Sequence, residues 1–375
     1  MITLNGITWA HSRGYTPLVA CSQAWTDLHP SVEIVWHKRS LWAFGEGSLD
    51  ELRGYDLLVL DHPFTGRAAE AGVILPLGTL VPPADLADLE RHSMGPSYRS
   101  YVFDGRQWLL PLDAAAQVAV GRADLLEQRG LEMPRTWSAV LRFARTHGGV
   151  TAPLSPINAL SGFLTFCAQA GAPVKWRDDG MNLEIPAATA ALEQLRELAL
   201  AAGPESLEAT PIDILNRMCG TNEILYVPLC YGYSNYSRPG FAPHVLRFAD
   251  IPLSGDGQPR GACLGGAGIA VGRDCRHVDE AVAFARSIAG GECQRTLYVT
   301  HGGQPAHAGA WKDDEANRIT NGFFRDTWKT LELAYLRPNF PSFPSVQEQA
   351  ARVVHNCAAG AIRIGTAVDQ LQGRL

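Results

Sequence analysis

The chain has few of the features that would assign it quickly, and each absence excludes something. No apolar run approaches the ~20 residues needed to cross a bilayer, so no membrane span is expected. No lysine or arginine block stands out, and with a net charge of −6 and a pI near 6.0 a nucleic-acid partner is excluded. The cysteines number eight, Cys21, Cys167, Cys219, Cys230, Cys263, Cys275, Cys293 and Cys357, without a C-x-x-C pair or the spacing of a small secreted scaffold. Several lie in apolar contexts and read as free buried thiols. There is no P-loop, no H-E-x-x-H and no G-x-S-x-G, and Gly265-Gly266-Ala267-Gly268 lacks the spacing of a dinucleotide loop. His301 and His307 flank Gly302-Gly303-Gln304-Pro305 but have no third ligand nearby in sequence, so neither a metal nor a cofactor is expected. Repeats and low-complexity tracts are also missing.

What is present is an ordinary soluble composition, 46% hydrophobic and 19% charged over 375 residues, enough for two separate cores. Short apolar runs such as Leu57–Leu60 and Ile269–Val271 alternate with helical periodicity, as in 187–202, where Leu192, Leu195, Leu198 and Leu200 precede Gly203-Pro204. That alternation predicts an α/β fold with a mostly parallel sheet covered by helices in each lobe. The segment 337–344, rich in proline and aromatics, reads as an ordered surface loop.

The most specific stretch is 101–146. It contains a turn at Asp104-Gly105, an aromatic-containing strand, the proline-led Leu110-Pro111-Leu112, and a second strand over 117–122. A helix broken by Gly130 follows, then Pro134-Arg135-Thr136-Trp137 with Thr136 as N-cap. This order resembles the interlobe crossing of the extracellular solute-binding proteins, family 1, the sugar-binding components of ABC importers. The likeness continues in Ile7-Thr8-Trp9 and the loop from Ala10 to Tyr15, in Tyr55–Asp61 followed by Ala71-Gly72-Val73-Ile74-Leu75-Pro76-Leu77, in Leu264–Val271, and in His301-Gly302-Gly303-Gln304-Pro305. The resemblance implies a two-lobed, periplasmic-binding-protein-like type II fold with a ligand cleft between lobes. The first lobe is expected over 1–110 plus 264–312 and the second over 111–263 plus 313–375. Hinges are expected at 111–113, 263–266 and 310–312. It also implies a small-molecule ligand, ABC permease components as partners, and a monomer.

Ligands in open α/β sheets collect beyond the carboxyl ends of strands. That rule selects His11, Ser12, Arg13 and Tyr15 after the first strand, Lys38, Arg39 and Ser40 after the second, and Asp61 and His62 after the third. This edge is basic and suggests an anionic or carboxylate-bearing ligand, unless Lys38 and Arg39 are solvated or paired with Glu33 or Asp61. Tyr231, Tyr233 and Tyr236 supply ring faces from the second lobe, or fill its core, and Asn158, Leu160 and Ser161 stand at the head of a helix over 162–170. Asp113, Gly266 and Gln304 complete the candidate ligand set.

The leading reading is a receptor for a small polar, anionic or carbohydrate-like metabolite that closes by hinge motion. The alternative is a cytoplasmic enzyme reusing the cleft, with His62 as general acid/base beside Asp61 and Asp113. A ligand-sensing partner of a regulatory protein is a third. Strand one begins close to Met1 with no leader before it, which reads as cytoplasmic, or as periplasmic if a leader has been removed.

Overall fold

In a computed structural model the protein is described over residues 1–375, the side chains of residues 42, 45 and 46 excepted. A seven-stranded sheet runs through the whole molecule. Its parallel part is β1 (Ile2–Trp9), which pairs with β2 (Val32–Arg39) on one side and β3 (Leu57–Asp61) on the other. The remaining members are β4 (Leu110–Gly121), β5 (Tyr226–Tyr231), β6 (Arg247–Ala249) and β7 (Leu264–Val271), and all of these pair antiparallel. The expectation of a mostly parallel sheet in each lobe is therefore corrected. Chain returns through β4 and β7 reverse direction at the crossing.

β4 and β7 join the two halves. Residues 110–113 of β4 pair with 267–269 of β7 on the side of β3, whereas residues 117–121 pair with β5 and β6. All twelve residues of β4 are buried, which explains a run of apolar and small side chains interrupted only by Asp113 and Gln117. The sequence suggested a proline-led segment over 110–112 and a separate strand over 117–122. They are one strand because a register shift opposite Ala267 and Gly268 places Pro111 at an irregularity, where its missing N–H costs no ladder bond.

Two main cores flank this crossing. One gathers Leu4, Trp9, Leu18, Val59, Leu112, Ile269, Phe284 and Tyr298, and a smaller cluster under β3 extends it. The other gathers Val118, Val120, Phe163, Leu195, Leu229, Phe248, Trp311, Phe323 and Val354. The local signals that mark these elements are satisfied. Asp104 and Gly105 both take left-handed φ values, 48° and 69°, at the tip of a two-residue hairpin, and the Thr136 hydroxyl accepts the Ala139 amide at the start of the helix Trp137–His147.

Candidate functional site

The parallel strands end at one edge, so their following residues converge without any direct sequence proximity. The register pairs Trp9 with Arg39 and Asp61 with Ala267, which lines up the loops after β2, β1 and β3 with Gly266 and Asp113. β5 ends at Tyr231 opposite Gln117, and the following turn carries Gly232 to Asn235 over the same edge from the other half of the molecule.

The first group at this edge is a buried ion pair. Arg13, in helix α1 (Ser12–Leu28), donates from Nε to Asp113 Oδ2 at 2.8 Å and from Nη2 to Asp113 Oδ1. Its Nη1 reaches across to the carbonyl oxygen of Gly232 at 2.8 Å, and its guanidinium lies 4.6 Å from the Tyr233 ring centroid. Arg13 and Asp113 are 4% and 1% exposed, so neither charge is free for an anion. Burial pushes the Asp113 carboxyl up, and the bidentate bonds from Arg13 pull it back toward the ionised form. In this structure each charge serves the other: Arg13 is engaged by Asp113, and Asp113 by Arg13.

His11 precedes Arg13 as the N-cap of α1, its Nδ1 accepting the Arg13 amide at 3.0 Å, and its ring meets Tyr233 edge to face at 4.9 Å. Burial first, and Arg13 second, lower its pKa to about 4. Ser12 Oγ accepts a long bond from Asn235 Nδ2 at 3.5 Å. Gln304 is a brace. Its Oε1 accepts the Ser234 amide and its Nε2 donates to the Ala114 carbonyl, so the side chain is fully engaged. Together these residues latch α1 to the turn after β5.

The second group has the opposite character. Asp61 Oδ1, His62 Nδ1 and Nε2, and Arg337 Nε are all buried and have no hydrogen-bond partner among the described residues. Asp61 Oδ1 lies 3.4 Å from His62 Nδ1 and 4.0 Å from the Arg337 guanidinium, distances of attraction without a formed bond. Burial opposes ionisation of Asp61, but His62 and Arg337 outweigh it and hold the carboxyl below its usual range. Burial also depresses the His62 pKa, so the ring is neutral near pH 7. Across from them Tyr231, partly exposed, lies against Gly265, where an added Cβ would come within 2.8 Å of the ring, and its hydroxyl is 3.3 Å from Ser161 Oγ. The backbone between is held open by Gly266, at φ 119°, whose added Cβ would meet the Asp113 carbonyl oxygen at 2.3 Å.

Arg337 is the residue that sequence reasoning missed. The stretch 337–344 is not merely a surface loop. Arg337 is 4% exposed and bonded to Gln347 and to the Leu264 carbonyl, while Asn339 ties to Ser100 and Val102. An arginine set among prolines and aromatics was the available signal. Other candidates lie at the rim or outside. Tyr15 sits under Lys38 at 4.6 Å, Arg39 stacks on Phe44 and donates to Ala43, and Ser40 caps the next helix. Asn158 and Ser161 lie inside the helix Pro156–Gln169 and not before it, and Asn158 bonds Ser155. His307 stands with His92 and Asp88, but its Nδ1 accepts the Gly309 amide, which leaves the proton on Nε2 and no lone pair there for a metal. Tyr236 bonds Asn216 and fills the core.

These features define a two-lobed α/β binding-protein fold with a cluster of buried polar groups at the crossing. Residues 41–181 match the family described as bacterial extracellular solute-binding protein. The fold is similar over nearly the whole chain to solved binding proteins. T. maritima MalE3 with maltose bound aligns at TM-score 0.81 and 18% identity, covering 99% of this chain and 98% of that one. A solute-binding protein of Agrobacterium radiobacter K84 in complex with ribitol gives the same score and identity, covering 99% and 97%, and the GacH receptor of Streptomyces glaucescens GLA.O gives 0.79 at 14%, covering 98% and 96%. No curated protein sequence matches the chain. The segment 41–181 thus resembles the bacterial extracellular solute-binding proteins, and the chain as a whole shares the fold of the solved structures.

Proposed function

We propose that the protein is a receptor for a small neutral polyhydroxylated solute, a sugar or polyol, held between the lobes by Asp61, His62, Arg337 and Tyr231. The observation that carries this reading is the set of four buried polar atoms without partners on Asp61, His62 and Arg337. Each such atom costs roughly 1–3 kcal/mol when left unpaired, and hydroxyl groups, which both donate and accept, can satisfy all four. The ring of Tyr231 offers a flat face to the carbon side of such a solute. Charge balance favours a neutral ligand, since Arg13 is matched by Asp113 and Arg337 faces Asp61. Similar structures hold maltose, ribitol, tagatose and mannitol.

In this reading the lobes divide at the crossing strands, with 1–112 and 267–298 in the first and 114–264 and 299–375 in the second. Hinge motion centres on 113–114 and 264–267, beside the braced segment 304–306. The protein works as a monomer outside the cytoplasm and delivers its solute to an ABC permease. The test is calorimetry with a panel of neutral sugars, polyols and sugar acids. A neutral sugar or polyol is expected to bind, and Asp61→Asn and Arg337→Met are each expected to weaken it by roughly ten- to a hundredfold. Binding of sugar acids alone, or binding unaffected by both substitutions, overturns the reading.

A further inference from the structure

Of the eight cysteines, two stand together. Cys21, buried in the middle of α1, and Cys293, partly buried in the short helix Gly291–Cys293, have their sulfurs 3.5 Å apart although 272 positions separate them. Among the described residues no other two sulfurs are in hydrogen-bond contact. Burial alone explains an isolated cysteine, which behaves as a small hydrophobe, but not two thiols turned toward each other from different elements. We propose that Cys21 and Cys293 form a reversible disulfide that ties α1 to the helical segment leading into the lobe crossing.

The geometry asks for little. A disulfide needs its sulfurs at ~2.05 Å, a closure of roughly 1.5 Å that side-chain rotation can supply. Cys293 is the more accessible of the two, and its hydrogen bond with Cys21 holds its thiol below the ordinary range, so it is the attacking thiol. The oxidant is an external disulfide, as a small thiol couple or a disulfide oxidoreductase provides in an oxidising compartment. Cys293 sulfur attacks one sulfur of that disulfide and releases one thiolate, which takes up a proton. Cys21, losing its own proton, then displaces the second thiolate from the mixed disulfide. Two protein thiols and one external disulfide become one protein disulfide and two external thiols.

The bond joins parts that matter to the cleft. α1 carries His11, Ser12 and Arg13 at its start. Gln294, next to Cys293, accepts the Ala306 amide from the segment that runs beside Leu112 and Ala114. The proposal does not depend on which solute the cleft holds.

The experiment is peptide mapping by mass spectrometry after native protein is incubated with oxidised glutathione and free thiols are blocked. The expected result is a cross-linked peptide pair containing Cys21 and Cys293, with two of the eight thiols lost, a melting temperature higher by several degrees, and full reversal by dithiothreitol. Cys21→Ser, with Cys21→Ala as a second variant should serine unfold the core, is expected to trap glutathione on Cys293. Cys293→Ser is expected to leave the other seven thiols free. Eight titratable thiols after oxidation, or a cross-link between other cysteines, overturns the proposal.

Discussion

Arg13 and Asp113 illustrate how a charge that reads as a ligand anchor becomes part of the scaffold. Their pair is buried, so removing one partner strands the other in a poorly solvated site, and Asp113→Asn or Arg13→Gln is expected to destabilise by about 3–5 kcal/mol. The double variant should lose clearly less than the sum, because neither charge is then left alone. Urea denaturation of the four proteins measures this, and strict additivity would show that the pair is not coupled. Arg13→Lys keeps the charge but loses the two-pronged contact to Asp113 and, with it, the reach to Gly232.

At the scale of elements, the glycines of β7 separate fold from site. Gly266 adopts φ 119° and passes against the Asp113 carbonyl, where a Cβ would sit at 2.3 Å from backbone, so Gly266→Ala is expected to cost about 2–4 kcal/mol in chemical denaturation. At Gly265 the obstacle is the Tyr231 ring at 2.8 Å, a side chain at a partly exposed position. Gly265→Ala is therefore expected to displace the ring and weaken solute binding by about tenfold, with a far smaller loss of stability. Equal effects of the two substitutions on stability would contradict this division.

For the molecule as a whole, pH should act on closure through His11. In this structure its ring lies against Tyr233 with a pKa near 4, and on the proposed hinge motion a ring hydrated by opening returns toward about 6.5. A base whose pKa is depressed in one state stabilises that state fully above the higher value and progressively less as pH falls toward the lower. Closure is thus favoured above about pH 6.5 and is expected to weaken as pH falls from there to about 4, with the depressed pKa of His62 acting in the same direction. Small-angle scattering across that range should show the radius of gyration rising on acidification, and NMR titration should place His11 near pH 4. His11→Asn keeps the N-cap but removes the titration, so its scattering step should shrink. A His11 that titrates at its ordinary value would refute the linkage.

Local rules decided much of this protein in advance. Turn chemistry at Asp104-Gly105, the cap at Thr136 and the apolar run of β3 each depend on neighbours a few residues away, and all were legible in the chain. So were the ends of the parallel strands, after which Arg13, Asp61 and His62 follow. Direction in the sheet and the continuity of β4 were not, since pairing partners such as Leu110 and Ile269 lie 159 positions apart and sequence carries no record of their register. The same distance hid the role of each charge. Whether an arginine greets a ligand or a carboxylate depends on what folding brings within 3 Å. Tertiary structure alone gave Arg13 to Asp113, drew Arg337 out of an apparent surface loop toward Asp61, and left buried polar atoms there waiting for a partner.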